Sequence, residues 1–213
     1  MVATAGKVSA KRRTAPKEKR RTQLIKATIR SIAKRGLPGT TMATVTNEAK
    51  LSLGIVNLHF QSKERLLVET LRYVTDETRT AWAKALDKDG LSSAEKLRAI
   101  LDVEFTPPVC EPNKLAVCFA FWSESKSHPA YRKICAELDK QNDDMLIDYC
   151  TRIIAEGPYP GLDPKVIATG LSAMSWGLWL DMLVSPDIIS ADQAHGVCLA
   201  YLASVFPQHF GEQ

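Results

Sequence analysis

Apolar side chains fall at Leu24, Ile25, Ile29, Ile32 and Ala33, with Lys26, Arg30 and Lys34 four apart on another face, and Gly36 with Pro38 ends the run. Spacings of three and four residues place one apolar stripe along an α-helix. Thr41 then stands where it can cap a short helix from Met42 to about Lys50, which offers Val45 and Ala49 four apart. Leu51 makes a turn, and Ser52 can cap a second short helix from Leu53 to about Phe60. Two short helices joined by a tight turn form a helix-turn-helix. Ser62, with Glu64 and Arg65 behind it, opens a longer helix in which Leu66, Leu67, Thr70, Leu71, Val74 and Thr78 keep helical spacing until about Leu86.

The helical period continues through segments 93–105, 113–126, 129–156, 164–184 and 191–206, separated by breaks at Pro107-Pro108, His128-Pro129, the 157–161 Gly/Pro cluster and Pro186. No alternating strand pattern of any length interrupts them. An all-α fold of about nine helices is therefore expected.

Charge divides the chain more sharply than its overall +4 suggests. Residues 1–72 carry 16 Lys and Arg against 4 Asp and Glu, a net +12, whereas residues 73–213 carry 12 against 20, a net −8. This is the footprint of a small polyanion-binding module joined to an acidic domain. Residues 1–16 are small, polar and basic without periodicity and read as a disordered arm, residues 17–72 as the helix-turn-helix DNA-binding domain, and residues 73–213 as a ligand-binding and dimerisation domain.

Several function classes are disfavoured. The basic N-terminus lacks an apolar signal-peptide core, and the apolar run Val166 to Val184 contains Thr169, Ser172, Ser175 and Asp181, so a doubly buried helix is expected there and no membrane partner. Five cysteines without a CxxC pair fit a reducing cytoplasm, and a cytoplasmic, nucleoid-associated location is expected. The four histidines are far apart, with no HExxH, phosphate loop or GxSxG elbow, and no histidine stands at di-metal spacing beside Glu137, Asp139, Asp143 and Asp144. No enzyme, cofactor or metal site is expected. A helical scaffold without DNA leaves the basic first third unexplained.

An α-helix fits the major groove of duplex DNA, and the first residues of the second helix of such a motif meet the base edges. Here these are Leu53, Gly54, Asn57, Leu58 and His59. Gly54 lets the backbone come close, Asn57 can pair bidentately with adenine, His59 can donate to base or phosphate, and Leu53 can touch a thymine methyl. Thr40, Thr41, Ser52 and Lys63 suit phosphates. Helix pairs with Ser caps also occur as plain structure; the +12 charge on this segment tips the balance toward DNA.

The stretch Thr41 to Leu67 resembles the DNA-binding signature of TetR-type bacterial repressors, most specifically at Ser52, Gly54, His59, Phe60, Lys63 and Leu66. The resemblance implies Phe60 as a core wedge, Lys63 as a phosphate contact, an operator on double-stranded DNA and a homodimer. The chain departs from the family at Lys50, where a turn glycine is usual, and at Asn57, where a tyrosine is common. Gly54-Ile-Val and Phe60-Gln-Ser-Lys, with Ala120-Phe-Trp, His128-Pro129, Arg132 and Gly177-Leu-Trp-Leu180, are most similar to the choline-responsive repressors of glycine-betaine synthesis.

The second domain offers two further surfaces. Helix 164–184 is apolar nearly all round, and helix 191–206 carries Ala194, Val197, Cys198, Tyr201, Leu202 and Val205 on one face, so the pair could form a four-helix dimer interface or fill a monomer core. Phe119 and Trp122 lie three apart on one helix and Trp176 and Trp179 on another, with Phe105 and Tyr131 nearby. Such stripes are usually core. Tryptophan faces beside a carboxylate also make a cage for a quaternary ammonium, and Glu104, Glu124 and Asp181 are the candidate carboxylates for a choline-like effector. A regulator of an unrelated pathway, with another effector, remains the alternative.

Overall fold

The computed structural model describes residues 11–211, with side chains from Lys17 onward. It contains α1 (Lys11–Gly39), α2 (Met42–Ala49), α3 (Leu53–Phe60), α4 (Lys63–Leu86), α5 (Ser93–Glu104), α6 (Pro112–Glu124), α7 (Pro129–Glu156), α8 (Pro164–Val184), α9 (Ala191–Val205) and the single turn α10 (Pro207–Phe210). The expected helices are all present, α10 is an addition, and no strand occurs among the described residues. Residues 11–16, assigned by composition to a non-helical arm, belong to α1, because lysine and arginine are good helix formers at the head of an amphipathic helix. Residues 1–10 lie outside the described residues. The chain forms two compact units, residues 1–70 and 71–213, so the division falls inside α4.

In the first unit, α1 breaks at Gly36, whose φ of 69° is a left-handed conformation that only glycine enters without steric cost. Thr40 Oγ1 donates to the carbonyl of Gly36 at 2.8 Å and meets Ser31 Oγ at 3.2 Å, closing the break. Thr41 caps α2 reciprocally: its hydroxyl accepts the Thr44 N–H at 3.1 Å, and Thr44 Oγ1 accepts the Thr41 N–H at 2.8 Å. The turn between α2 and α3 places Lys50 at φ 53°, ψ 45°, left-handed without being a glycine. Glu48 ties α2 to α1, receiving Lys34 at 2.9 Å, Arg35 at 3.3 Å and Arg30 at 3.7 Å; the Lys34 hydrogen bond leads in holding its carboxyl below the usual range. Leu24, Ile25, Ile29, Ile32, Val45, Ala49, Val56, Phe60 and Leu66 are among the buried side chains. Phe60 is thus inside, with the Arg21 guanidinium 5.7 Å over its ring.

In the second unit α8 runs against α6, α7 and α9, and α7 against α5. Ile167, Ala168, Leu171 and Trp179 of α8 enter a core shared with Leu97, Ile100, Leu146, Ile153, Leu202 and Phe206. The opposite side of α8 does not: Val166, Leu180 and Val184 are exposed, and only 28% of its apolar window is buried. The expectation that this helix is buried all round therefore fails within one chain, because α6, α7 and α9 cover one stripe and leave the other to solvent. The single face expected on α9 is likewise divided. Ala194, Cys198 and Leu202 repeat every four residues and are wholly buried, while Val197, about a quarter-turn away, is exposed.

Candidate DNA-reading surface and effector cavity

Helix α3 is anchored by Val56 and Phe60, four apart, so the positions between and before them turn outward. Leu53, Gly54, Asn57 and Leu58 are exposed, Leu58 to 71%. Ser52 occupies the N-cap in extended conformation but its hydroxyl makes no cap hydrogen bond. A Cβ added at Gly54 would meet nothing nearer than Ser52 Oγ at 4.0 Å, so nothing within the chain requires a glycine there. His59 is half-buried, and burial, then the charge of Lys17 together with those of Arg20 and Arg21, holds its imidazole below the ordinary pKa against a weaker pull from Glu18. In its neutral form the imidazole presents one donor and one acceptor.

Three residues assigned to phosphates are placed differently from one another. Thr41 is exposed but its hydroxyl already caps α2. Lys63 is half-buried and commits one N–H to the Leu37 carbonyl at 3.2 Å, closing the segment that follows the Gly36 break. Thr40 is corrected: it is 1% exposed, and its hydroxyl satisfies Gly36 and Ser31, so its side chain cannot meet a phosphate.

The second unit holds a cavity walled by Trp82 of α4, Glu104 of α5, Lys114 and Cys118 of α6, Asp139 and Asn142 of α7, and Ser175, Trp176 and Trp179 of α8. About 50 Å³ of it is open to the centre of a water-sized sphere, room for several waters or one small organic molecule. Glu104 is 5% exposed, and burial pushes its carboxyl up to about 7 against the opposing hydrogen bond from Ser175. Trp179 Nε1 donates to the Glu104 carbonyl at 3.0 Å, fixing that indole beside the carboxyl. Burial, then the charge of Asp143, raises Asp139 to about 6, opposed by a hydrogen bond from Trp122. Lys114 pairs with Glu77 at 2.8 Å, also a wall residue, and donates to the Pro108 carbonyl at 2.7 Å. Three carboxyls thus face one ammonium around an aromatic wall, an environment suited to a cation.

Of the nine residues expected at this site, Glu104, Trp176 and Trp179 line the cavity. The other six do not. Trp122 lies behind the wall, stacked on Trp176 with centroids 4.1 Å apart at 15°, and is 40% exposed. Phe119 meets Trp176 edge-on at 5.8 Å, also from outside the lining. Phe105 is core, beside His195 at 6.1 Å, and Tyr131 is buried between Phe121 and His128, each at 4.8 Å. Glu124 pairs with His128 at 3.6 Å and Asp181 is exposed. Helical spacing identifies which residues share a face, but not which neighbouring helix that face meets. Trp82, Asp139, Asn142 and Lys114 were missed. A signal existed for Trp82, since Val74, Thr78 and Trp82 repeat every four residues along one stripe of α4.

Comparison with known proteins agrees with both halves. Residues 24–70 match the bacterial regulatory proteins of the tetR family, and residues 93–207 match the BetI-type transcriptional repressor C-terminal domain. A curated relative from Burkholderia mallei (strain NCTC 10229), the HTH-type transcriptional regulator BetI, is 35% identical over 167 residues, spanning 77% of this chain and 82% of its own. Among solved structures, a transcriptional regulator from Saccharomonospora viridis in complex with choline shares the fold at a TM-score of 0.77 and 21% identity, covering 87% of this chain and 96% of that one. AibR in complex with isovaleryl coenzyme A and operator DNA shares it at 0.68 and 20%, covering 88% and 98%. The chain belongs to the TetR family of bacterial regulatory proteins and is a DNA-binding transcriptional repressor with a C-terminal domain of the BetI type.

Proposed function

We propose that this repressor acts as a homodimer whose grip on an operator is released by choline or a closely related small cation, and that it controls genes of glycine-betaine synthesis. The observation that carries the reading is the buried carboxyl of Glu104 within a wall of Trp82, Trp176 and Trp179. A quaternary ammonium donates no conventional hydrogen bond, so aromatic faces and a carboxylate are what hold it, each cation–π contact contributing about 0.5 to 2 kcal/mol. The choline carried by the Saccharomonospora viridis regulator and the name of the Burkholderia relative support the same class of ligand. The modest cavity volume suits such a molecule better than an acyl coenzyme A.

On the DNA side, Asn57 is the base reader, with Leu53, Gly54, Leu58 and His59 against the duplex and Ser52, Thr41 and Lys63 toward its backbone. The basic residues that precede α2 add phosphate attraction, and the regulator works in the cytoplasm on the nucleoid. For the dimer, the exposed side of α8 and α9 (Val166, Leu180, Val184 and Val197) is the apolar surface that a second copy would cover. Helix α4 contains both Lys63 and the cavity residues Val74, Thr78 and Trp82, so one continuous helix is shared by the two sites. A ligand that prefers the conformer unable to seat both reading heads releases DNA; equal affinity for both conformers would shift nothing.

Calorimetric titration of the full chain with choline, paired with gel retardation of its operator in the same buffer, tests the reading. Saturable binding that releases DNA supports it. Absence of heat at millimolar choline would leave a BetI-type repressor of another effector and pathway.

A further inference from the structure

His59 is the one histidine among residues 1–70 and stands half-buried in the last turn of α3, beside α1. Its ring lies 6.3 Å from that of Phe60, tilted by 41°. The Arg21 guanidinium lies 5.7 Å over the same Phe60 ring and pairs with Glu69 of α4. Lys17 and Arg20, three apart on α1, are both exposed. The charges that reach the imidazole from α1 are those of Lys17, Glu18, Arg20 and Arg21, and the carboxylate that α4 brings to this corner is engaged by Arg21. In the free chain burial, then these three cations, disfavour the ring's proton, with Glu18 opposing. The other histidines belong to the second unit and have partners there: His128 with Glu124 at 3.6 Å, His195 with Asp102 at 2.8 Å and His209 with Tyr159 at 2.8 Å.

We propose that the reading head takes up a proton at His59 when it seats on DNA, the doubly protonated ring donating to a backbone phosphate, so that DNA binding strengthens as pH falls. This rests on the placement of α3 against the duplex argued above and adds a proton to it. Duplex DNA carries one negative charge per roughly 1.7 Å of its axis, so docking sets phosphates beside the very cations that repel the proton in the free chain. Their field is then offset, and a phosphate near the ring favours its charged form directly. Docking also strips water from the ring, which favours the neutral form. The charge-assisted bond from an imidazolium to phosphate is about twice as strong as its neutral counterpart, and it decides the sign. The last turn of α3 adds to this, because unpaired carbonyls at a helix C-terminus favour a positive neighbour. By linkage, a ring that holds its proton more tightly on DNA makes the complex tighter as pH falls through the interval between its bound and free ionisations. Above that interval the proton contributes nothing, and below it the gain is complete.

The full-length wild-type chain, titrated from pH 8 to pH 5 with and without a short duplex of arbitrary sequence, gives the test. The imidazole Hε1 resonance of His59, identified by its loss in His59→Gln, is expected to titrate at higher pH in the complex than in the free chain. Affinity for the duplex should rise on the order of tenfold between pH 8 and pH 5.5, with a salt slope steeper by about one released counterion. Glu104, Asp139 and the other histidines titrate in both proteins, so the part of the gain that vanishes in His59→Gln belongs to this ring. Lys17→Gln should raise the free-chain ionisation of His59 and narrow the interval. A His59 resonance that responds to duplex but titrates alike in both states overturns the proton uptake and leaves the reading head standing. One that does not respond at any pH overturns both, and a pH dependence retained in full by His59→Gln removes the assignment to this residue.

Discussion

Glu104→Gln separates the fold's interest from the ligand's. The Glu104 carboxyl ionises near pH 7 in the folded chain, raised from 4.5 by burial, and would return to its ordinary value on unfolding. The native state then holds a proton that the unfolded chain has lost, and stability falls as pH rises through the window from 4.5 to about 7. At 1.36 kcal/mol per pH unit this window amounts to roughly 3 kcal/mol, fully present at pH 4.5 and below and fully lost by pH 8. The substituted amide has no proton to lose. The variant should therefore match the wild type near pH 4.5 and exceed it at pH 8 by up to roughly 3 kcal/mol, or about 6 to 12 °C in Tm for a chain of this size. Because Asp139 titrates identically in both proteins, the wild-type-minus-variant difference isolates the one carboxyl. Urea unfolding across the pH range is the assay, with choline titrations alongside. Wild-type affinity should weaken as pH falls below 7, by up to tenfold per unit, as the proton displaces the cation; the variant should bind weakly at every pH. A stability offset independent of pH, or a variant less stable at pH 8, would refute the burial argument.

Gly54→Ala should stabilise the free protein by about 0.5 to 1 kcal/mol in thermal unfolding, since the helix gains alanine's propensity and the added Cβ meets open space, yet weaken operator binding in gel retardation. Unchanged DNA affinity would remove the close-approach role. Lys50→Gly should relieve a left-handed lysine at φ 53° and stabilise the chain by roughly 1 kcal/mol in the same unfolding assay. Asn57→Ala should cost about 1 to 3 kcal/mol at particular operator positions, whereas Lys63→Ala should weaken all sequences alike and lower the salt slope of binding; part of its effect will appear as stability, through the lost bond to Leu37. The wild type should sediment as a dimer at micromolar concentration, and Val184→Glu or Val197→Glu should move it toward monomer, because an unpaired charge would be buried in the interface. A charge at Leu202 would instead enter the monomer core and report on folding.

The helices were legible because their signals are local. Thr41, Ser92 and Ser190 cap the helices behind them through contacts three residues away, and Pro or Gly, the poorest helix formers, interrupts the pattern between helices. The outward face of α3 follows from Val56 and Phe60 alone. Thr40 was misread because its role depends on the left-handed Gly36, four residues back, whose carbonyl needed a donor; no spacing rule shows which carbonyl is left over. The cavity was read only in part for a different reason. Its walls come from five helices, and Glu104 and Trp179 meet across 75 residues of sequence through a hydrogen bond that no periodicity contains. Trp122 shares a face with Phe119 as their spacing requires, yet that face rests on the back of Trp176 and not on the ligand's side.

That placement gives the molecule an optical property. Trp122 and Trp176 are two near-parallel indoles 4.1 Å apart, close enough for their transitions to couple as one chromophore and produce a paired band of opposite signs in near-ultraviolet circular dichroism. One member of the pair lines the cavity, and the other donates a hydrogen bond to Asp139 on a second wall. Any occupant that turns Trp176 or draws on Asp139 alters the angle between the two rings. The protein thus carries an intrinsic label, sensitive to orientation and separate from simple quenching, by which occupancy of the cavity can be followed without dye or substitution.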